Sequence, residues 1–167
     1  MSDGRFYGKY RGTVSSTADP TSAGRIRARV PDVMDGECGW AMPCAPLAGG
    51  GMGVFALPPD GAGVWIEFEH GDPDYPIWSG CWWGSVADVP TDVAMPPQTG
   101  KILLRTDGGT SILLDDTPGK GGITLSTPGG QKLVITATAI EIDNGSGASL
   151  KLSGPQVSIN GGALEVT

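Results

Sequence analysis

The chain is poor in the groups on which most enzyme chemistry depends. It has one histidine, His70, in 167 residues, and charged residues make up only 17%. A lone imidazole leaves a Ser–His or Cys–His system no choice of base. The cysteines, Cys38, Cys44 and Cys81, are three, so they cannot form a closed disulfide framework within one chain. Long stretches free of glycine and proline are missing too. The longest runs from Gln131 to Asn144 and alternates with period two, which excludes helical bundles and coiled coils. No run of 18 apolar residues exists, and no apolar segment follows Met1. A single-pass membrane protein is therefore not expected, and the chain is expected to stay in the cytoplasm until it is assembled into something larger.

A basic excess is missing as well. Residues 1–84 hold 6 basic and 10 acidic groups, residues 85–100 carry −2, and residues 101–167 hold 5 against 6. No segment can neutralise phosphates in number, so nucleic acid is not an expected partner. What the chain does have is 28 glycines and 14 prolines beside 39% apolar residues. That much apolar material argues for folded β structure with many turns rather than disorder.

The chain reads as two unlike parts joined by a linker: a barrel over residues 1–84, a proline-containing spacer over 85–100, and a repeat over 101–167. All five tryptophans lie in the first part. Its strand candidates are Arg5–Val14, Arg25–Val30, Trp40–Ala45, Met52–Leu57, Gly63–Glu69 and Pro76–Trp82. Ile26, Ala28 and Val30 alternate with arginines, and Val64, Ile66 and Phe68 alternate with Trp65, Glu67 and Glu69. Short strands with long loops in about 80 residues suit a small closed barrel of the OB type. The linker's three prolines predict an extended, semi-rigid spacer.

After Lys101 there is no aromatic residue, and a unit of apolar–any–apolar followed by a turn repeats eight times. The pairs are Ile102/Leu104, Ile112/Leu114, Ile123/Leu125, Leu133/Ile135, Ile140/Ile142, Leu150/Leu152, Val157/Ile159 and Leu164/Val166. Turn formers such as Asp107-Gly108-Gly109, Pro128-Gly129-Gly130 and Asn144-Gly145 separate them. Sixteen aliphatic side chains on one face amount to on the order of 1,600 Å². A soluble monomer shows an apolar patch of roughly 300–600 Å², and no segment remains to cover the excess. The economical solution is a trimer whose copies turn these faces inward as an intertwined, triple-stranded β-prism, each edge pairing with a neighbour. A two-chain sandwich is the competing solution. The trimer core is expected at Ile123, Leu125, Leu133, Ile135, Ile140, Ile142, Leu150, Leu152, Val157, Ile159, Leu164 and Val166. Eight strand levels at roughly 4.8 Å give a needle on the order of 40 Å.

The first part also carries recognisable motifs. Gly24-Arg25-Ile26-Arg27-Ala28-Arg29-Val30-Pro31, Trp40-Ala41-Met42-Pro43 and the block from Leu57 to Gly80 resemble phage baseplate assembly protein V. The block holds Gly61, Phe68, Gly71-Asp72-Pro73, Pro76 and Gly80 at that family's spacing, and Thr106–Thr110 with Leu114–Gly119 resembles the opening of its β-helical needle. The resemblance implies a non-enzymatic, homotrimeric central spike of a contractile injection system that contacts a target membrane transiently. It also implies a hub protein at the barrel end and a PAAR-like tip protein at the needle end. Because the last apolar pair lies just before Thr167, a blunt, edge-exposing tip is expected.

Other chemistry was weighed residue by residue. Asp72/Asp74 and Asp115/Asp116 are carboxylate pairs of the kind a glycosidase uses, yet both sit in turns where capping is the ordinary role. Cys38, Cys44, Cys81 and His70 lack the close paired spacing of a zinc site. Gly49–Gly53 and Gly119–Gly122 are glycine-rich, but no helix follows the first and no Ser/Thr completes a phosphate loop in the second. They read as surface loops. Trp40, Trp65, Trp78, Trp82 and Trp83 read as barrel core or as packing against partners. A carbohydrate- or nucleic-acid-binding OB module and a small envelope-degrading hydrolase are the rival functions, and no cofactor is expected.

Overall fold

The computed structural model describes residues 4–94 and 99–166, with side chains in the last strand described to Leu164. The chain divides between Asp88 and Val89 into two compact units.

In the first unit, β1 (Tyr10–Ser16), β2 (Arg27–Arg29), β3 (Met42–Pro43), β6 (Gly63–Phe68) and β7 (Pro76–Trp82) form one sheet in the order β2-β1-β6-β7-β3. β3 runs parallel to β7, and the other pairs are antiparallel. The sheet curls towards closure. Ala41, beside β3, bridges Ile26, beside β2, through N–H···O bonds of 2.8 and 3.2 Å. This is the expected OB barrel, and the period-two alternation explains its core. Val64, Ile66 and Phe68 point inward from β6 and meet Ile26, Ala28, Val30, Val14, Cys38 and Ala41. Phe6, Tyr10 and Phe68 close one end with ring centroids 5.8–6.2 Å apart.

Two stretches depart from the sequence expectation. Strand β1 begins at Tyr10 rather than Arg5, because Phe6 donates its N–H to the Gly71 carbonyl at 2.7 Å instead of joining the sheet. The strand expected over Met52–Leu57 shrinks to β5 (Met52–Gly53), which pairs only with β4 (Ala48–Gly49) as a small hairpin. A barrel already ringed by five strands offers that segment no edge.

The linker is not fully extended. Val86–Asp88 makes a 3₁₀ turn in which Ser85 donates its backbone N–H and hydroxyl to the Asp88 carboxylate. After Pro90, Thr91–Ala94 forms one helical turn, α1, with Asp92 paired to Arg105 at 2.6 Å. Local side-chain capping shapes the described start of the linker. Residues 95–98 of the expected spacer lie outside the described residues.

The second unit is a single antiparallel meander of β8 (Lys101–Arg105), β9 (Ser111–Asp115), β10 (Gly122–Ser126), β11 (Lys132–Thr136), β12 (Ala139–Asp143), β13 (Ser149–Ser153), β14 (Gln156–Ile159) and β15 (Leu164–Val166). The eight strands coincide with the eight apolar pairs. Along one margin the turns repeat. Thr106, Thr127 and Asn144 each donate a backbone N–H to the carbonyl four residues on, at 2.9–3.0 Å. The fourth residue of each turn, Gly109, Gly130 or Gly147, sits at φ of 90 to 97°, where only glycine is unstrained.

Candidate functional site

Register turns the eight pairs into two unbroken rows. Ile102 faces Leu114, which faces Ile123, and the row continues through Ile135, Ile140, Leu152 and Val157. Its last backbone partner is Val166, whose side chain lies outside the described residues. The second row runs Leu104, Ile112, Leu125, Leu133, Ile142, Leu150, Ile159 and Leu164. In antiparallel sheets directly opposed residues share a face, so both rows lie on the same side.

Among the described residues of the second unit, nothing covers that side. Twelve of the row residues are 36–66% exposed, with the highest values at the outer strands, on Ile102, Leu104 and Leu164. Leu133, Leu150 and Val157 are half-buried. If about half of each side chain awaits cover, on the order of 800 Å² of apolar surface remains bare, above the patch of roughly 300–600 Å² that a monomer tolerates.

The opposite side is mixed: Leu103, Leu113 and Val134 share it, half-buried, with polar and charged pairs. Glu141 and Lys151 face each other in register and pair at 2.6 Å, Lys101 pairs with Asp115 at 3.4 Å, and the hydroxyls of Ser111 and Ser126 meet at 3.0 Å. Each of the six inner strands is hydrogen-bonded on both sides within the chain. Among the described residues, free edges for a neighbouring copy are therefore confined to β8 and β15, and what the wide face offers a neighbour is side chains.

The barrel motif residues hold loops and corners. Gly24 is buried at φ +77°, and a Cβ there would lie 3.0 Å from the Phe55 ring, while its carbonyl accepts the Trp78 indole N–H at 3.1 Å. Arg25 makes a two-pronged contact with Asp19 (2.7 and 3.0 Å), whose carboxylate also takes the N–H groups of Thr21, Ala23 and Arg25. Those donors, the Arg25 guanidinium foremost, hold the Asp19 carboxyl far below the ordinary carboxylate range. Pro31 opens the turn in which Val33 and Met34 bond back to Val30, and the Gly61 N–H reaches the Val14 carbonyl at 2.9 Å. Gly71 is packed under Phe6 and Tyr7, Asp72-Pro73 forms the turn closed by Tyr75, and Pro76 starts β7 opposite Phe68. Gly80 lies in the bulge where the β6–β7 register shifts.

The tryptophans divide between core and surface. Trp78 packs against the core. Trp40 lies under Arg25 and Arg27, with guanidinium-to-centroid distances of 5.7 and 5.1 Å, and Arg11 sits over both Trp65 and Trp82 at 5.8 and 5.3 Å. Trp83 is exposed.

The candidate catalytic and metal groups are dispersed or occupied. Asp72 accepts the Asp74 N–H at 3.1 Å. Asp115 accepts the hydroxyl and N–H of Thr117, which with Lys101 hold its carboxyl below the usual range. His70 is exposed at a left-handed φ of 52°. Cys38 lies in the barrel core, where burial pushes its thiol up, whereas Cys44 and Cys81 are exposed and line one groove. Among the described residues, no three His, Cys, Asp or Glu side chains gather as a metal site. That groove, bordered by residues 44–58, escaped the reading of the strands. Its signal was the absence of any charge from Cys38 to Pro59.

Two family profiles match the chain. Residues 10–83 match the Type VI secretion system/phage-baseplate injector OB domain. Residues 101–165 match the phage baseplate V C-terminal trimerisation domain. No curated protein matches it.

Proposed function

Because the chain belongs to the phage baseplate V family of injector proteins, we propose that three copies form the central spike of a contractile injection machine and that the two aliphatic rows are its axis. The observation that carries this reading is the bare face. Two aliphatic residues per strand, repeated over eight strands with no aromatic ring among them, suit a narrow three-sided core. Covering about 800 Å² per copy is worth on the order of 20 kcal/mol gross, against roughly 4–15 kcal/mol for the lost freedom of association. Ile123, Leu125, Leu133, Ile135, Ile140, Ile142, Leu150, Leu152, Val157, Ile159, Leu164 and Val166 form the shared core.

The role is mechanical rather than catalytic. The barrel end sits on a separate hub protein, and the needle transmits the thrust of sheath contraction to the target envelope. Strand β15, an edge strand of the meander, carries a PAAR-like tip. The chain is made and held in the cytoplasm before it joins the particle. The turn-capping geometry of Asp72 and Asp115 and the absence of a basic excess support a structural part over a hydrolase or a nucleic-acid binder.

Mass in solution tests the proposal. The protein should run at three times its 17.1 kDa chain mass, and Ile135→Asp should leave a folded barrel at one chain mass. A stable wild-type monomer overturns the spike. Failure of the spike to co-elute with its cognate tip protein removes the tip docking alone.

A further inference from the structure

Outside the aliphatic rows, the molecule's most apolar exposed feature is on the barrel. Between Leu47 and Leu57 five large side chains stand in solvent, with Phe55 at 73%, Met52 at 59%, Val54 at 56%, Leu47 at 52% and Leu57 at 38%. This loop forms one wall of a groove of about 750 Å³, whose lining also includes Gly24, Pro43, Trp78 and Cys81 and no charged side chain. The loop is ordered beforehand. Val54 donates to the Leu47 carbonyl at 3.0 Å across the β4–β5 hairpin, Cys44 donates to the Trp78 carbonyl at 2.9 Å, and the Phe55 ring rests on Gly24.

We propose that in the trimer this loop is a clasp between barrels: Phe55 and its apolar neighbours from one copy cover the groove of the next. The lining argues against a small polar ligand, since its only hydroxyls are those of Ser22 and Ser79, whereas small-molecule sites usually carry several placed polar groups. A preordered apolar loop loses little entropy on docking. The occupant is a second copy because the trimerisation domain begins 16 residues after the barrel part. Such a spacer reaches at most about 55 Å, which holds the other two barrels near at an effective concentration of order millimolar. The loop is one wall of the groove on every barrel, so its exposed outer face is what each copy gives and the cleft behind it is what each copy receives. That head-to-tail contact closes into a ring under three-fold symmetry. The inference rests on the trimeric reading above.

The native cysteines report on it. Cys44 and Cys81 line the groove, and core-buried Cys38 serves as an internal control for unfolding. In the wild-type trimer a maleimide should label Cys44 and Cys81 at least tenfold more slowly than in the Ile135→Asp monomer, with Cys38 silent in both. Phe55→Ser should restore the monomer's rate while the mass stays trimeric, and Met52→Ser should do so in part. Labelling of Cys38 in Phe55→Ser would reveal unfolding, and Met52→Ser then decides. A wild-type trimer labelled as fast as the monomer, or a folded Phe55→Ser trimer still protected, overturns the clasp and leaves the trimer standing. A wild-type monomer overturns both.

Discussion

In the barrel, Val64 and Ile66 have no exposed surface; in the second unit, Ile123 and Ile135 sit in equally regular strands yet keep 39% and 36% of theirs. Both units obey the same period-two alternation, so strand formation does not separate them. Closure does. The barrel curls until Ile26 and Ala41, beside its two edge strands, pair backbone to backbone and close the wall around the core. The meander pairs each strand only with its sequence neighbours, and a sheet built that way has nothing of its own to lay over its apolar face. One unit carries its core within the chain, and the other acquires one only in company.

The sharpest way to break that contrast is to place the same charge in both cores. Ile66→Asp strands an unpaired carboxylate inside the closed barrel, which costs several kcal/mol. The near-UV circular dichroism of the tryptophans, all of which lie in the barrel, should vanish while the mass remains trimeric. Ile135→Asp should do the reverse, reducing the mass to one chain and sparing the tryptophan signal. Loss of both signals in either variant would mean that the units are not independent.

Truncation sharpens the same point. Leu152 is 38% exposed in the single chain, and Leu152→Ala should weaken the trimer by about 2–5 kcal/mol per copy, as for a fully buried leucine. Dilution should lower only the melting step that reports the trimer and leave the tryptophan-reported step in place.

Acid offers a subtler probe. Asp19 is held ionised by Arg25 and three backbone N–H groups, so its carboxyl lies below the ordinary value of 3.8. A depressed carboxyl stabilises the fold above that ordinary value and loses its contribution as pH falls towards the folded value. The barrel's melting temperature should therefore drop between about pH 4 and pH 2, and Asp19→Asn should flatten that slope. The smallest effect belongs to the exposed charge pair on the other side of the sheet. Glu141 and Lys151 are 46% and 52% exposed, and Lys151→Ala should change stability by less than about 1 kcal/mol in chemical denaturation.

Much of this was legible before any coordinates. The inward sets Ile26/Ala28/Val30 and Val64/Ile66/Phe68, the eight aliphatic pairs and the glycine turns between them all follow from spacing two and a few φ > 0 positions. The loop over residues 44–58 was not legible. Its residues read as a strand because Met52, Val54 and Phe55 have strand propensity, but propensity cannot tell whether a sheet has an edge left to receive them. The 3₁₀ turn at the linker's start was not legible either, since it hangs on the single contact of Ser85 with Asp88.

Alternation, turn chemistry and the sharing of a face are set by residues within a few positions of one another, and so the amino-acid order alone determined them. Whether a face is covered depends on groups remote along the chain or on another copy. Only the tertiary structure could decide that Ile26 and Ala41 close a barrel, that Phe55 rests on Gly24 in a groove, and that two rows of aliphatic side chains cross the sheet with no described residue of their own unit above them.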